Sequence, residues 1–169
     1  MPDIKVLYVE DAKSSGGALR QALKENKAGI SAVFLGGAFD CLDEIAENGA
    51  DAVVACIELG DLPGYELSCL IKSSELTRNM PVILWGMTGS KVDPYWQNAS
   101  LCDAYYSDAQ TKDAKGIKNI VESIQGLVEE SRKKGFDKDK SRGLVVTRPD
   151  YSSSKAVDSG KKLIEELLL

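Results

Sequence analysis

The stretch Asp51–Leu67, DAVVACIELGDLPGYEL, decides how the rest of the chain is read. Its first part, Ala52–Ile57, is an unbroken apolar run too short for a helix, the pattern of a strand buried on both faces. Pro63-Gly64 closes the acidic loop that follows, and from Tyr65 to Ile71 apolar residues recur at the three- and four-residue spacing of one helix face.

Working outward, the same alternation repeats. Apolar runs at Ile4–Val9, Ile30–Leu35, Pro81–Trp85 and Ala104–Ser107 supply four more strands, and Ala18–Leu23, Cys41–Ala46 and Ile117–Val128 supply amphipathic helices between and after them. The interval Lys91–Leu101 predicts only a short or loosened fourth helix, because Pro94 is tolerated in a first turn alone, behind Asp93 as N-cap. Strict strand–helix alternation with strands apolar on both faces predicts an α/β fold, a doubly wound five-stranded parallel sheet covered on two sides. Ligands of such sheets sit beyond the carboxyl ends of the strands, so the residues that end each strand carry the functional interest.

A chain of 169 residues, 43% hydrophobic, can bury one core with an appendage. Residues 1–130 form the expected domain, 131–143 read as a charged linker, and 144–169 as a C-terminal extension with a helix over Ser152–Leu169. That helix gathers Ala156, Val157, Leu163, Ile164, Leu167 and Leu168 and is expected to dock on the body or to pair with a second copy in a homodimer. There is no apolar run of membrane-spanning length and no signal-peptide pattern, so a cytoplasmic protein without membrane contact is expected.

Charge and titratable content exclude several chemistries. Residues 1–130 hold 11 Lys and Arg against 20 Asp and Glu, and 131–169 hold 10 against 6. An acidic body makes nucleic acid an unlikely partner, with only the basic segment Arg132–Arg142 in its favour. The absence of histidine removes imidazole bases and ligands. Cys41, Cys56, Cys69 and Cys102 have no metal-ligand spacing and read as reduced thiols that pack like small apolar residues.

Taken in order, the strands end at Glu10-Asp11, Cys56, Gly86 and Asp108. With VLYVED at Val6–Asp11, MPVILWG at Met80–Gly86 and CDAYYSDA at Cys102–Ala109, and with 30 positions between Cys56 and Gly86 and 22 between Gly86 and Asp108, residues 3–130 resemble the CheY-like receiver domain of bacterial response regulators. The resemblance implies sheet order 2-1-3-4-5. It also implies an acidic pair that binds Mg²⁺, an Asp after the third strand that accepts a phosphoryl group, and a Thr or Ser after the fourth strand and a Lys after the fifth that hold it. Those types suit the chemistry, with a carboxylate nucleophile, hard oxygen ligands and fixed donors for the transferred group.

Here Glu10 and Asp11 are kept, whereas Cys56 stands for the acceptor, Gly86 for the hydroxyl residue and Asp108 for the lysine. Nucleophile, hydroxyl donor and cation are all lost, so a non-catalytic pseudo-receiver, acting by protein contact without phosphorylation and without a cofactor, is the expectation. Three alternatives stand beside it: a redox or small-molecule sensor at Cys56, a metal cluster of Glu10, Asp11 and Asp108, and Thr88 or Lys91 leaning back into the vacated positions. The family signals through the face of its fourth helix, fifth strand and following helix, which here carries Tyr95, Trp96, Tyr105 and Tyr106, the candidate partner interface. Tyr105 matches the aromatic that moves inward in the family when the hydroxyl residue engages phosphate.

Overall fold

Three strands buried on both sides organise the molecule. The computed structural model describes residues 3–11, 17–25, 29–86 and 99–145. In chain order these form β1 (Ile4–Val9), α1 (Gly17–Lys24), β2 (Ile30–Leu35), α2 (Ala38–Asn48), β3 (Ala52–Cys56), α3 (Gly64–Ser73), β4 (Val82–Trp85), β5 (Ala104–Tyr106), a 3-10 turn (Ala109–Thr111), α4 (Ala114–Lys133) and α5 (Lys138–Ser141). The strands pair in parallel in the order β2-β1-β3-β4-β5. All residues of β3 and β4 are buried, which is why their sequences carry no polar alternation.

Right-handed crossovers distribute the helices on two layers. On one face Arg20 of α1 lies 5.1 Å over the Phe34 ring, and the Tyr106 hydroxyl meets Ser123 Oγ of α4. Leu19 and Leu23 of α1 and Ile120, Ile124 and Val128 of α4 are buried there. The opposite layer is α2 and α3, which bury Leu42, Ile45, Leu67 and Ile71. Helix α4 starts at Asp113, whose side chain accepts from Lys115 N at 3.0 Å, an N-cap that leaves a 20-residue helix about 30 Å long behind it.

Residues 131–143 are not a linker. Helix α4 runs through residue 131 to Lys133, and Phe136 and Leu144 are 6% and 4% exposed within the core. Ala50 N donates to Ser141 Oγ at 3.2 Å and Gly143 N to Ala46 O at 3.0 Å, fixing α5 to the corner between α2 and β3. Gly49 at that corner has φ +74°, and a β-carbon there would stand 2.1 Å from Lys138 O, so the close approach of α5 requires glycine. Arg132 reaches the buried Asp51 at 3.5 Å, while Asp51 Oδ2 accepts from Lys5 N at 2.7 Å. Apart from Arg132, the charged residues of this segment face water; its three anchors, Phe136, Ser141 and Leu144, are too sparse to show in composition.

The proposed fourth helix lies outside the described residues except for residues 99–101, and the extension beyond Val145, including Ser152–Leu169, lies outside them entirely. Among the described residues no helix is long and apolar enough to cross a membrane.

Candidate functional site

The carboxyl ends of β1, β3, β4 and β5 bring Glu10, Cys56, Gly86 and the residues after Tyr106 to one edge, as the register Cys56↔Trp85 and Trp85↔Tyr106 requires. Each position is held by a different local device.

Glu10 extends the ladder, donating its N–H to Leu35 O at 3.0 Å, and its carboxylate accepts the hydroxyl of Tyr8 two residues earlier on the same strand face. Tyr8 is 1% exposed, set edge-on to Phe34 at 5.5 Å and stacked on Trp85 at 6.1 Å. Burial, followed by the bond to Glu10, pushes its phenol far above the ordinary value, so it remains a donor at any physiological pH. Asp11 lies against the loop after β3, its Oδ2 2.8 Å from where a β-carbon on Gly60 would stand.

Cys56 is 2% exposed. Its Sγ lies 3.4 Å from the position of a β-carbon on Gly86, and Ile57 Cγ1 lies 3.2 Å from it. Gly86 has φ +125°, a conformation that side-chain-bearing residues avoid. It is tied on both sides: its N–H donates to Tyr106 O at 3.1 Å, and its carbonyl accepts the Tyr105 hydroxyl at 2.6 Å.

Tyr105 therefore points inward, towards the strand ends. Burial, then the neighbouring Tyr65, raises its phenol above the ordinary range. Tyr106 faces the other way and lies on α4, bonded to Ser123 Oγ and within 3.5 Å of Asn119 O. Both tyrosines are half-buried and internally bonded. Tyr95, Trp96, Thr88 and Lys91 lie outside the described residues.

Asp108 begins the 3-10 turn. Its carboxylate accepts from Lys112 Nζ at 3.0 Å and its carbonyl from Thr111 Oγ1 at 2.6 Å. Among the described residues no group of three or more Cys, Asp or Glu could hold a metal ion. Burial raises the thiols of Cys41, Cys69 and Cys102, the direction opposite to thiolate chemistry.

Three residues at this edge have no counterpart among the sequence candidates. Tyr8 shares a strand face with Glu10, a period-two signal present in VLYVED. Tyr65 follows Pro63-Gly64 directly, in the first turn of α3. Asp61, in the acidic loop, caps α2 from a distance: its carboxylate accepts from Ala38 N and Phe39 N, both at 3.0 Å, where Gly37 offers no cap of its own. Burial alone would raise the Asp61 carboxyl, but the N–H groups of Phe39, Ala38 and Leu62 bring it below its ordinary value. Local pattern contains no signal for such a tertiary cap.

Among the described residues, the indole N–H of Trp85 is buried without a hydrogen-bond partner, although the ring itself is stacked. The described groups thus contribute bonded carboxylates, a covered thiol, a glycine backbone and two engaged phenols.

No protein-family model matches the sequence, and no curated protein matches it. Solved structures do. The signal receiver domain of a signal transduction histidine kinase from Syntrophus aciditrophicus is 17% identical, with a TM-score of 0.62 over 75% of this chain and 91% of that one. A CheY-like response regulator receiver domain protein from Methanospirillum hungatei JF-1 is 22% identical, with a TM-score of 0.61 over 79% of this chain and 99% of that one. The receiver domain of a sensor histidine kinase from Pseudomonas aeruginosa PAO1, solved with a magnesium ion in its active site cleft, is 16% identical, with a TM-score of 0.62 over 75% and 98%. The fold is therefore that of receiver domains.

Proposed function

We propose that the chain is a receiver-like signalling module of a two-component-type pathway that acts through protein contacts, without phosphorylation and without catalysis. The observation that carries this is the end of β4: a glycine at φ +125° whose carbonyl already holds the inward Tyr105 hydroxyl, beside a thiol where a carboxylate nucleophile would stand. An oxygen nucleophile, a hydroxyl donor and a cation are the parts that phosphoryl transfer to a receiver requires, and none stands at its position in the chain. Glu10, the carboxylate that in the resemblance would face Mg²⁺, is bonded to Tyr8.

The partner is a signalling protein. Its contact is assigned to the surface around β5 and the preceding segment with Tyr95 and Trp96, where Tyr105 stands in a fixed inward position. A sensor at Cys56 has weaker support, because a thiol 2% exposed is shielded from oxidants.

The test is incubation of the full chain with Mg²⁺ and acetyl phosphate, and separately with beryllofluoride. No mass increase and no Mg²⁺-dependent change in tryptophan fluorescence are expected. Stoichiometric phosphorylation would overturn the proposal.

A further inference from the structure

We propose that the amino-terminal edge of the sheet carries a binding site for a small aliphatic monocarboxylate, whose carboxylate pairs with Arg78 and Lys134 and whose chain lies on Pro81, Leu101 and Leu127. The site is a depression of about 360 Å³ between the turn that precedes β4, the segment that precedes β5 and the last turns of α4. That volume stands at the small end of ligand sites, which run from about 300 to 1,000 Å³. On α4 its lining positions Leu127, Ser131 and Lys134 follow at three- and four-residue spacing, one face of the helix. It lies at the edge opposite Cys56 and Gly86 and does not depend on the proposed function.

The walls are fixed before any ligand arrives. Lys72, with its side chain 8% exposed, donates to Asp103 Oδ2 and Met80 O, both at 2.7 Å, and to Arg78 O at 3.3 Å, which ties α3 to the starts of β4 and β5. Met80 N donates to Thr77 O at 2.9 Å, so Arg78 and Asn79 are the central residues of a closed turn. Lys134 ends α4, where its N–H reaches Glu130 O and Ser131 O while Gly135 N donates to Arg132 O and Phe136 N to Ser131 O, each at 3.0 Å. The carbonyls of residues 130–132 thus already have donors, which limits their repulsion of an anion.

Charge selects the ligand. Five charged side chains line the depression, Lys72, Arg78, Lys134, Asp103 and Glu130, of which Lys72 and Asp103 neutralise one another. Arg132 and Lys133, in the same turn as Lys134, are paired with Asp51 and Glu129. Arg78 and Lys134, both exposed, form no ion pair among the described residues. Among the lining residues only Glu130 stands against them, so one positive charge is in excess, the complement of a monoanion; a dianionic phosphate would exceed it. A carboxylate also fits the fork of a guanidinium.

Leu101 selects the body of the ligand. Its side chain is 59% exposed, and its φ of +59° is the left-handed conformation, held elsewhere among the described residues by glycine alone. The corner is anchored on both sides: the carbonyl of the buried Ser100 accepts from Ser68 Oγ at 2.7 Å, and Asp103 N donates to Val82 O at 2.8 Å. Neither the strain nor the exposure of a leucine there aids folding, whereas with Pro81 and Leu127 it gives an apolar surface beside two cations.

The experiment is a titration of the ¹⁵N-labelled full chain with hexanoate, acetate and inorganic phosphate in turn, followed by amide chemical shifts. Hexanoate should move the amides of Asn79, Leu101 and Lys134 along one saturation curve with a Kd on the order of 1 mM, and acetate should bind about tenfold more weakly. The double variant Arg78→Ala and Lys134→Ala should lose saturation while its thermal transition is retained. Leu101→Asn, which suits the left-handed corner, should keep or raise the thermal transition and yet weaken hexanoate about tenfold. No saturable shift with hexanoate, or saturation that survives the double variant, would overturn the site. Phosphate binding as tightly as hexanoate, or hexanoate binding unchanged in Leu101→Asn, would overturn the assignment of an aliphatic monocarboxylate.

Discussion

Replacing Gly86 by alanine tests how deeply the departure from a phosphate-handling site is built into the backbone. At φ +125° a side chain costs about 1–3 kcal/mol of backbone strain. The new methyl would stand 3.2 Å from Ile57 Cγ1 and 3.4 Å from Cys56 Sγ, both in the buried layer. Ile57 is 5% exposed and its N–H is committed to Trp85 O at 2.9 Å, so it can yield only by side-chain rotation, and crowding of this kind adds about 1–3 kcal/mol. Reduced freedom of the unfolded chain returns about 0.4–1 kcal/mol. A net loss of about 1–6 kcal/mol follows. Rotating Gly86 to a permitted φ would relieve the strain only by disturbing its bonds to Tyr106 O and from the Tyr105 hydroxyl. The assay is urea unfolding followed by tryptophan fluorescence, with the slope required to stay constant so that the midpoint reports stability. Gly17→Ala, where a β-carbon meets nothing within 4 Å, serves as the control and should be neutral or stabilising. A Gly86→Ala loss below about 0.5 kcal/mol would show that the backbone is not committed to glycine, so that one substitution could return a hydroxyl residue to β4.

Two further outcomes are expected. Asp61→Ala should cost about 1 kcal/mol at neutral pH by uncapping α2. Because the folded carboxyl lies below its unfolded value near 4, its stabilisation is complete above that value and is lost as pH falls through the folded pKa. The difference between parent and variant in urea melts should therefore shrink at acid pH, and an unchanged difference at pH 3 would show that the carboxylate charge is not what caps the helix. Phe136→Ala should cost about 3 kcal/mol, since the ring is 6% exposed in the core; a loss under about 0.5 kcal/mol would return residues 131–143 to the status of a linker.

The strands were legible because burial on both faces leaves an unbroken apolar run, and β1 and β2 have the bounds their composition suggests. Helix ends were less so. Helix α2 begins three residues before Cys41 because Asp61, far along the chain, supplies its first N–H groups with acceptors. The identity of the five residues at the strand ends followed from position alone, but their state did not. Alternation along β5 put Tyr105 and Tyr106 on opposite faces without saying which turned inward; that is decided by Gly86 O on one side and Ser123 on the other. The charge of residues 131–143 concealed Phe136, Ser141 and Leu144, since an anchor every few residues leaves no periodic trace over so short a segment.

The two edges of the sheet have been put to different uses. At the amino-terminal edge, buried polar groups join separate elements: Asp51 bonds β1 and α4, and Lys72 Nζ, on α3, donates to Met80 O and Asp103 Oδ2, both at 2.7 Å, while that same oxygen accepts from Val82 N. Such groups cost several kcal/mol if left unpaired, so they fix the frame. At the carboxyl edge the bonds are short-range in space and close on themselves: Tyr8 to Glu10, Tyr105 to Gly86 and Lys112 to Asp108. A ligand arriving at the Glu10 or Asp108 carboxylate or at the Gly86 carbonyl must first break a bond that the protein already makes, and so gains only the difference between the two. On the proposed function, the inward Tyr105 is then a standing feature of the surface the partner meets.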